Sequence, residues 1–401
     1  MTDIIAASDF ATADAFGRAR VSEPTTLFDS SMHYNAQPLL WASVGDGTAT
    51  HSAAKAAVQM TVTAGQSLIR QTKAYHRYQP GKSQLILMTG VLGAAVEGVT
   101  KRMGYYDDDN GIFLELTTSG LYICKRSKVT GSVVDTKVEQ ASWNMAWGPQ
   151  GARALTEAID ETKAQIFLID LEWLGVGRVR CGFVVDGIIF YVHEFNHANL
   201  ISTVYMTTAN LPLRYEVIST TGAASDMYQI CSTVISEGGF REEIGVPHSV
   251  GNGATGISVS SRRAILSIRP KATFNSIVNR GTILPEGVDI FVTTAPAFYE
   301  IIYGGTLGGS PSWASAGDNS IVEYDVAGTT VTGGEVLETG YVVTSGTATP
   351  SSRGAASQTL LSKLPLVLDK AGANPIALSV VLTGIGGTPT ARAAINWREL
   401  Y

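Results

Sequence analysis

The stretch His193-Glu194-Phe195-Asn196-His197 has the H-E-x-x-H spacing by which a helix sets two imidazoles on one face for zinc, with a glutamate poised as general base. Here it ends a β-branched and aromatic run that starts directly after Asp186-Gly187, so it reads as strand. On a strand His193 and Glu194 point to opposite sides, and no third ligand follows at a useful spacing. Asp107-Asp108-Asp109-Asn110-Gly111 is a second candidate. Asp107, Asp109 and Asn110 offer hard oxygens to Ca²⁺, yet no glutamate closes the loop as an EF-hand needs, and the same residues suit a solvated hairpin tip. Glu115 and Glu172 lie in apolar runs and would serve glycoside hydrolysis only as a pair placed by the fold; alternation reads both as outward residues. Gly175-x-Gly177 lacks the third glycine of a dinucleotide site, and no nucleophile elbow or phosphate loop occurs. These residues imply no cofactor, no resident metal and no enzyme.

The element that carries these residues is best defined over 164–195. Three apolar runs, 165–174, 178–185 and 188–195, are separated by Gly175-Val176-Gly177 and Asp186-Gly187. Asp-Gly favours a two-residue type I′ turn, because both positions need positive φ, so the segment reads as a three-stranded antiparallel meander. Alternation puts Phe167, Ile169 and Leu171 on one face with Asp170 and Glu172 opposite, where they can pair across strands with Arg178 and Arg180 on a solvated face.

The 401 residues suffice for two or three domains. The charged fraction of 16 % is well below the roughly 25 % of ordinary domains, which favours strands and turns and a surface partly covered by other protein. A net charge of −6 without a basic stripe disfavours nucleic acid as a partner. Cys124, Cys181 and Cys231 read as small core residues of a protein made in a reducing cytoplasm. The first twenty residues lack the pattern of a signal peptide, and no apolar run is long enough to span a membrane.

Residues 1–50 cannot close a core and read as an extended N-terminal arm, lying on its own domain or on a neighbouring subunit through Phe10, Phe16, Arg18, Arg20, Leu27 and Phe28. About a dozen short strands follow in a β-sandwich over 51–269, with 238–256 as linker or surface loop, and a smaller C-terminal β domain fills 270–401. The fold class is therefore all-β, an antiparallel β-sandwich of jelly-roll, concanavalin-like type. Ile395, Trp397, Leu400 and Tyr401 are too apolar to remain free and are expected to dock.

Four stretches, DAFGRARVSEPTTLFDS at 14–30, GYYDDDNGIFLEL at 104–116, FLIDLEWLGVGRVRCGFVVDGIIFYVHEFNHAN at 167–199 and NLPLRYEV at 210–217, resemble a family of uncharacterised virion structural proteins of tailed bacteriophages. The meander is also similar in pattern to concanavalin-like and laminin-G jelly rolls. The resemblance implies a structural component of the tail, baseplate, neck or head surface, without catalysis, made in the host bacterial cytoplasm. Other virion proteins would be its partners, it would form a homo-oligomer, and neither nucleic acid nor membrane would be bound. The alternative is a carbohydrate-binding module for the host surface, using exposed Tyr105, Tyr106 or Trp313 near turn tips.

Overall fold

The computed structural model describes residues 13–15, 19–20, 23–145, 159–221, 223–239, 245–344 and 364–401, and the backbone of 353–355. Among them the chain is all-β, with two 3-10 turns, Ala53–Lys55 and Gln140–Ser142, as the only helical pieces. No described helix is long and apolar enough to cross a membrane. The chain forms two compact units, Met1–Arg241 and Glu242–Tyr401.

The strands of the first unit are β1 (Pro24–Ser31), β2 (Trp41–Gly45), β3 (Thr48–Ser52), β4 (Ala57–Val62), β5 (Ser67–Thr72), β6 (Ser83–Val91), β7 (Val99–Tyr106) and β8 (Gly111–Thr117). They continue with β9 (Gly120–Ser127), β10 (Val134–Glu139), β11 (Gln165–Leu171), β12 (Val179–Val185), β13 (Ile188–Phe195), β14 (Leu213–Ser219) and β15 (Ser225–Glu237). One sheet has the order β13-β12-β11-β6-β15-β4-β3, with β1 added to β15; the other has the order β10-β9-β8-β7-β14-β5-β2. Period-two alternation turns Met60, Ile86, Phe167 and Phe183 from the first sheet, and Met103, Leu114, Ile123 and Val217 from the second, into one shared core. The antiparallel sandwich expected from the sequence is the fold observed.

The boundaries differ from 1–50, 51–269 and 270–401. Pro24–Ser31, Trp41–Gly45 and Thr48–Ser52 are strands of the first sandwich, and Val246–Gly251 pairs with Thr390–Leu400 inside the second unit. A segment too short to bury its own face gains hydrogen bonds by adding to an existing sheet, and that pairing is invisible in local sequence. The second unit stacks two main sheets of its own, with Trp397, Ile395 and Ile290 in the core. Its chain end docks through Trp397 and Leu400, while Tyr401 is exposed.

The meander is present in the expected register, with Phe167 opposite Phe183 and Asp170 opposite Arg180. Asp186 (φ 53°) and Gly187 (φ 76°) make the turn. The charged face, however, is not solvated. Asp170 and Arg180 are fully buried, joined at 2.6 Å, and Asp170 also accepts from the Tyr191 hydroxyl at 2.6 Å and pairs with Arg20. The Ala13 carbonyl accepts from Arg180 Nη2 at 2.6 Å, so part of the presumed arm lies over this face of its own sandwich. Leu27 and Phe28 likewise pack on that sandwich, Phe28 against His76 and Trp41; Phe10, Phe16 and Arg18 fall outside the described residues. Cys124 and Cys181 are buried as expected, whereas Cys231 is exposed.

Gly187→Val places a β-branched residue at positive φ and should lower the urea-derived stability by about 1–2 kcal/mol, whereas Gly187→Asn, which tolerates that region, should cost clearly less.

Candidate functional site

The outward face of the seven-stranded sheet is built from residues that alternate with the core set. Strand registers align Tyr122, Glu115, Arg102 and Glu216 in one row across β9, β8, β7 and β14. The next row runs Lys137, Cys124, Phe113, Gly104, Arg214 and Gln71. A β-carbon on Gly104 would meet the backbone carbonyl of Ile112 at 2.4 Å, so only glycine fits between these strands.

Arg102 is the hinge of the face. Its Nε donates to Glu115 Oε2 at 2.7 Å and its Nη1 to Glu216 Oε2 at 3.0 Å. Lys137 Nζ closes the other oxygen of Glu115 at 2.5 Å, and the Tyr106 hydroxyl donates to Glu216 at 3.0 Å. Arg214 is held by Asp108 and Gln71, Arg126 by Asp135, and the guanidiniums of Arg102, Arg126 and Arg214 lie 5.0–5.7 Å from the ring centres of Phe113 and Tyr106. Glu115 is fully buried, and Glu216 is 6 % exposed. Burial alone would lower the Arg102 pKa, but Tyr106, Glu216 and Glu115 outweigh it and hold the guanidinium above its ordinary value. Burial, then the Glu216 charge, pushes the Tyr106 phenol well up, and burial raises the Cys124 thiol, which is therefore no nucleophile at neutral pH. Among the described residues no hydrogen bond reaches Arg102 Nη2, a donor, or Glu216 Oε1, an acceptor, on side chains already joined to each other. Tyr122, half-buried, stands in the same row two strands from Arg102, about 10 Å away at the usual strand spacing.

The residues singled out in the sequence behave otherwise. Tyr105 and Tyr106 are not exposed: Tyr105 faces the core and donates to the His76 carbonyl at 2.8 Å, and Tyr106 is covered by the arginine layer. Trp313, in the second unit, is half-buried under the Arg269 guanidinium at 3.9 Å. Asp107, Asp109 and Asn110 do not converge on a cation. Asp107 Oδ1 accepts the backbone N–H of Asp109 and of Asn110, Asp109 pairs with Lys128, and Asn110 bonds Thr207. Glu115 lies outward as expected but is buried there, and Glu172 is half-buried elsewhere. His193 and His197 are separated on a strand end: His193 accepts from the Asn144 N–H, while His197 stacks on Tyr205. Arg20 is not free for a neighbour, since it pairs with Asp170 and Glu237. Sequence reading missed Arg102, Tyr122, Arg214 and Glu216. The alternations Arg102-Met103-Gly104-Tyr105-Tyr106 and Arg214-Tyr215-Glu216 did signal two polar strand faces; that these strands are neighbours is a product of the fold.

No family model matches the chain, and no curated protein matches it. Among solved structures, it is similar to a Bacteroides ovatus mixed-linkage glucan GH16 protein, with 9 % identity over 52 % of this chain and 99 % of that one and a TM-score of 0.37. A Mycobacterium marinum β-1,3-glucanase has 11 % identity over 52 % and 98 %, with a TM-score of 0.35. A legume lectin-like domain from Entamoeba histolytica has 12 % identity over 54 % and 99 %, with a TM-score of 0.32. The likeness is one of jelly-roll fold, and no residue role passes across it. The matched set, which also includes a transglycosylase, stands against the expected virion structural component without catalysis; both that role and the exclusion of an enzyme are corrected here.

Arg102→Ala strands two buried carboxylates and should cost about 3 kcal/mol or more in urea unfolding. Asp135, although burial works against it, is held below the usual carboxylate range by the Arg126 hydrogen bond and charge. Its stabilisation is thus present above the unfolded pKa near ~3.9 and lost as pH falls through the lower folded value. Asp135→Asn should therefore flatten the acid limb of the stability–pH curve below about pH 4.

Proposed function

We propose that the first unit binds a neutral polysaccharide on the outward face of its seven-stranded sheet. The observation that carries this is a donor, Arg102 Nη2, and an acceptor, Glu216 Oε1, with no hydrogen bond among the described residues, on side chains held by the Arg102 Nη1–Glu216 Oε2 bond and by the Tyr106 hydroxyl. Vicinal hydroxyls of a sugar ring present a matching acceptor and donor, and groups already fixed lose little entropy on binding. Burying charges gains a protein little stability against an apolar alternative, so a sheet face that carries such a lattice supports recognition rather than mere packing. Carboxylates nearly balance the cations across the face, which favours a neutral ligand over an acidic one. Tyr122 would supply a flanking ring for a second sugar.

Affinity electrophoresis through gels containing soluble β-glucans, xylan or mannan should retard the full chain. Tyr122→Ala, and Glu216→Gln, which turns the free acceptor into a donor, should each weaken binding at least tenfold. Absence of retardation by every neutral polysaccharide, or unchanged binding by Glu216→Gln, would refute the reading. Release of reducing ends is followed in parallel.

A further inference from the structure

Lys125 and Cys124 are neighbours on β9 and therefore point to opposite sides of the sheet, so Lys125 leaves the polysaccharide face. Its Nζ lies 2.9 Å from His197 Nε2, 5.3 Å from the ring centre of Phe195 and 6.0 Å from that of Tyr205. The imidazole is fixed in orientation by a parallel stack on Tyr205 at 3.9 Å and by the Gly177 carbonyl, 2.7 Å from Nδ1. A carbonyl only accepts, so Nδ1 carries the proton and Nε2 presents its lone pair to Lys125. Burial pulls the His197 pKa down to about 4, against the Gly177 carbonyl and with the help of the Lys125 charge, so this acceptor is neutral near pH 7.

The contrast with other lysines of the same unit is chemical. Lys128 and Lys137 pair with the carboxylates of Asp109 and Glu115. Lys101 is sealed against the carbonyls of Leu92 and Ala94 and is 2 % exposed. Lys125 is half-buried, less sealed than Lys101, and among the described residues it has no carboxylate partner. A neutral imidazole and two ring walls orient the nitrogen without supplying a counter-charge. Burial also pulls the Lys125 pKa below its ordinary value.

We infer that Lys125 is a nucleophilic amine that captures small aldehydes as Schiff bases at the nest formed by His197, Phe195 and Tyr205. The ammonium gives one proton to water, and the Nζ lone pair attacks the carbonyl carbon while a remaining N–H stays on His197. The new C–N bond leaves an alkoxide that takes up a proton to give the carbinolamine. Loss of its hydroxyl as water yields the protonated Schiff base. In sum, ammonium and aldehyde become iminium and water with the charge conserved. The inference is independent of polysaccharide binding, which uses the other face of the sheet.

The test is reductive trapping of the full chain with glycolaldehyde and cyanoborohydride, read lysine by lysine from peptide masses, with exposed Lys163 as internal reference and Lys125→Arg to assign the adduct. Lys125 should be alkylated at least fivefold faster than Lys163 at pH 7, with its rate reaching a plateau at lower pH. Equal or slower modification at pH 7, or coincident pH profiles for the two lysines, would overturn the inference, whatever the result with polysaccharides.

Discussion

A charge without water must be held by donors, and the first sandwich carries such charges on the outer side of both sheets. On one sheet Asp170 gathers Arg180, Arg20 and Tyr191 on its Oδ2; on the other Glu115 and Glu216 share Arg102. Desolvated ions are expensive without nearby opposite charge and donors, so these clusters fix strand register and side-chain direction together. A slip by one residue would turn the whole lattice into the core. The shared Met, Leu, Ile and Phe interior provides adhesion, and the charge lattices decide which of the possible alignments is adopted.

The two lattices differ in closure. Around Asp170 the chain itself supplies a lid, through the Ala13 carbonyl and the Arg20 side chain. Around Arg102 the covering is made of long side chains whose guanidiniums stand over Phe113 and Tyr106, with no segment of chain laid across them among the described residues. The first arrangement is a clasp; the second is a lattice of side chains that hold one another in place.

Much of the architecture was legible in the sequence because its signals are local. The Asp186-Gly187 turn, the face carrying Phe167, Ile169 and Leu171, and the Asp170 to Arg180 partnership all follow from period two and one turn type. What local pattern could not supply was burial. Asp170 reads as solvated and is sealed, and Tyr106 reads as a turn-tip aromatic and is covered, because what covers them comes from residues far along the chain. The candidate site suffered most. Arg102 and Glu216 are 114 residues apart and meet only because β7 and β14 pair, whereas the eye-catching Asp107–Asp109 and His193–His197 runs bond to local backbone and to separate neighbours without converging on one point.

Strand β15 joins the first sheet across its whole width: its early residues pair with β4, its later ones with β1, and its other edge with β6. On a ribosome, a chain growing from its amino end exposes the edges of β1, β4 and β6 until residue 237 has emerged. Over that interval about two hundred residues carry half-built sheets whose open edges invite pairing with other nascent chains. For this molecule the hazard of aggregation is concentrated in synthesis, and shielding of the unfinished first sandwich, more than the stability of the finished one, would govern its yield in cells.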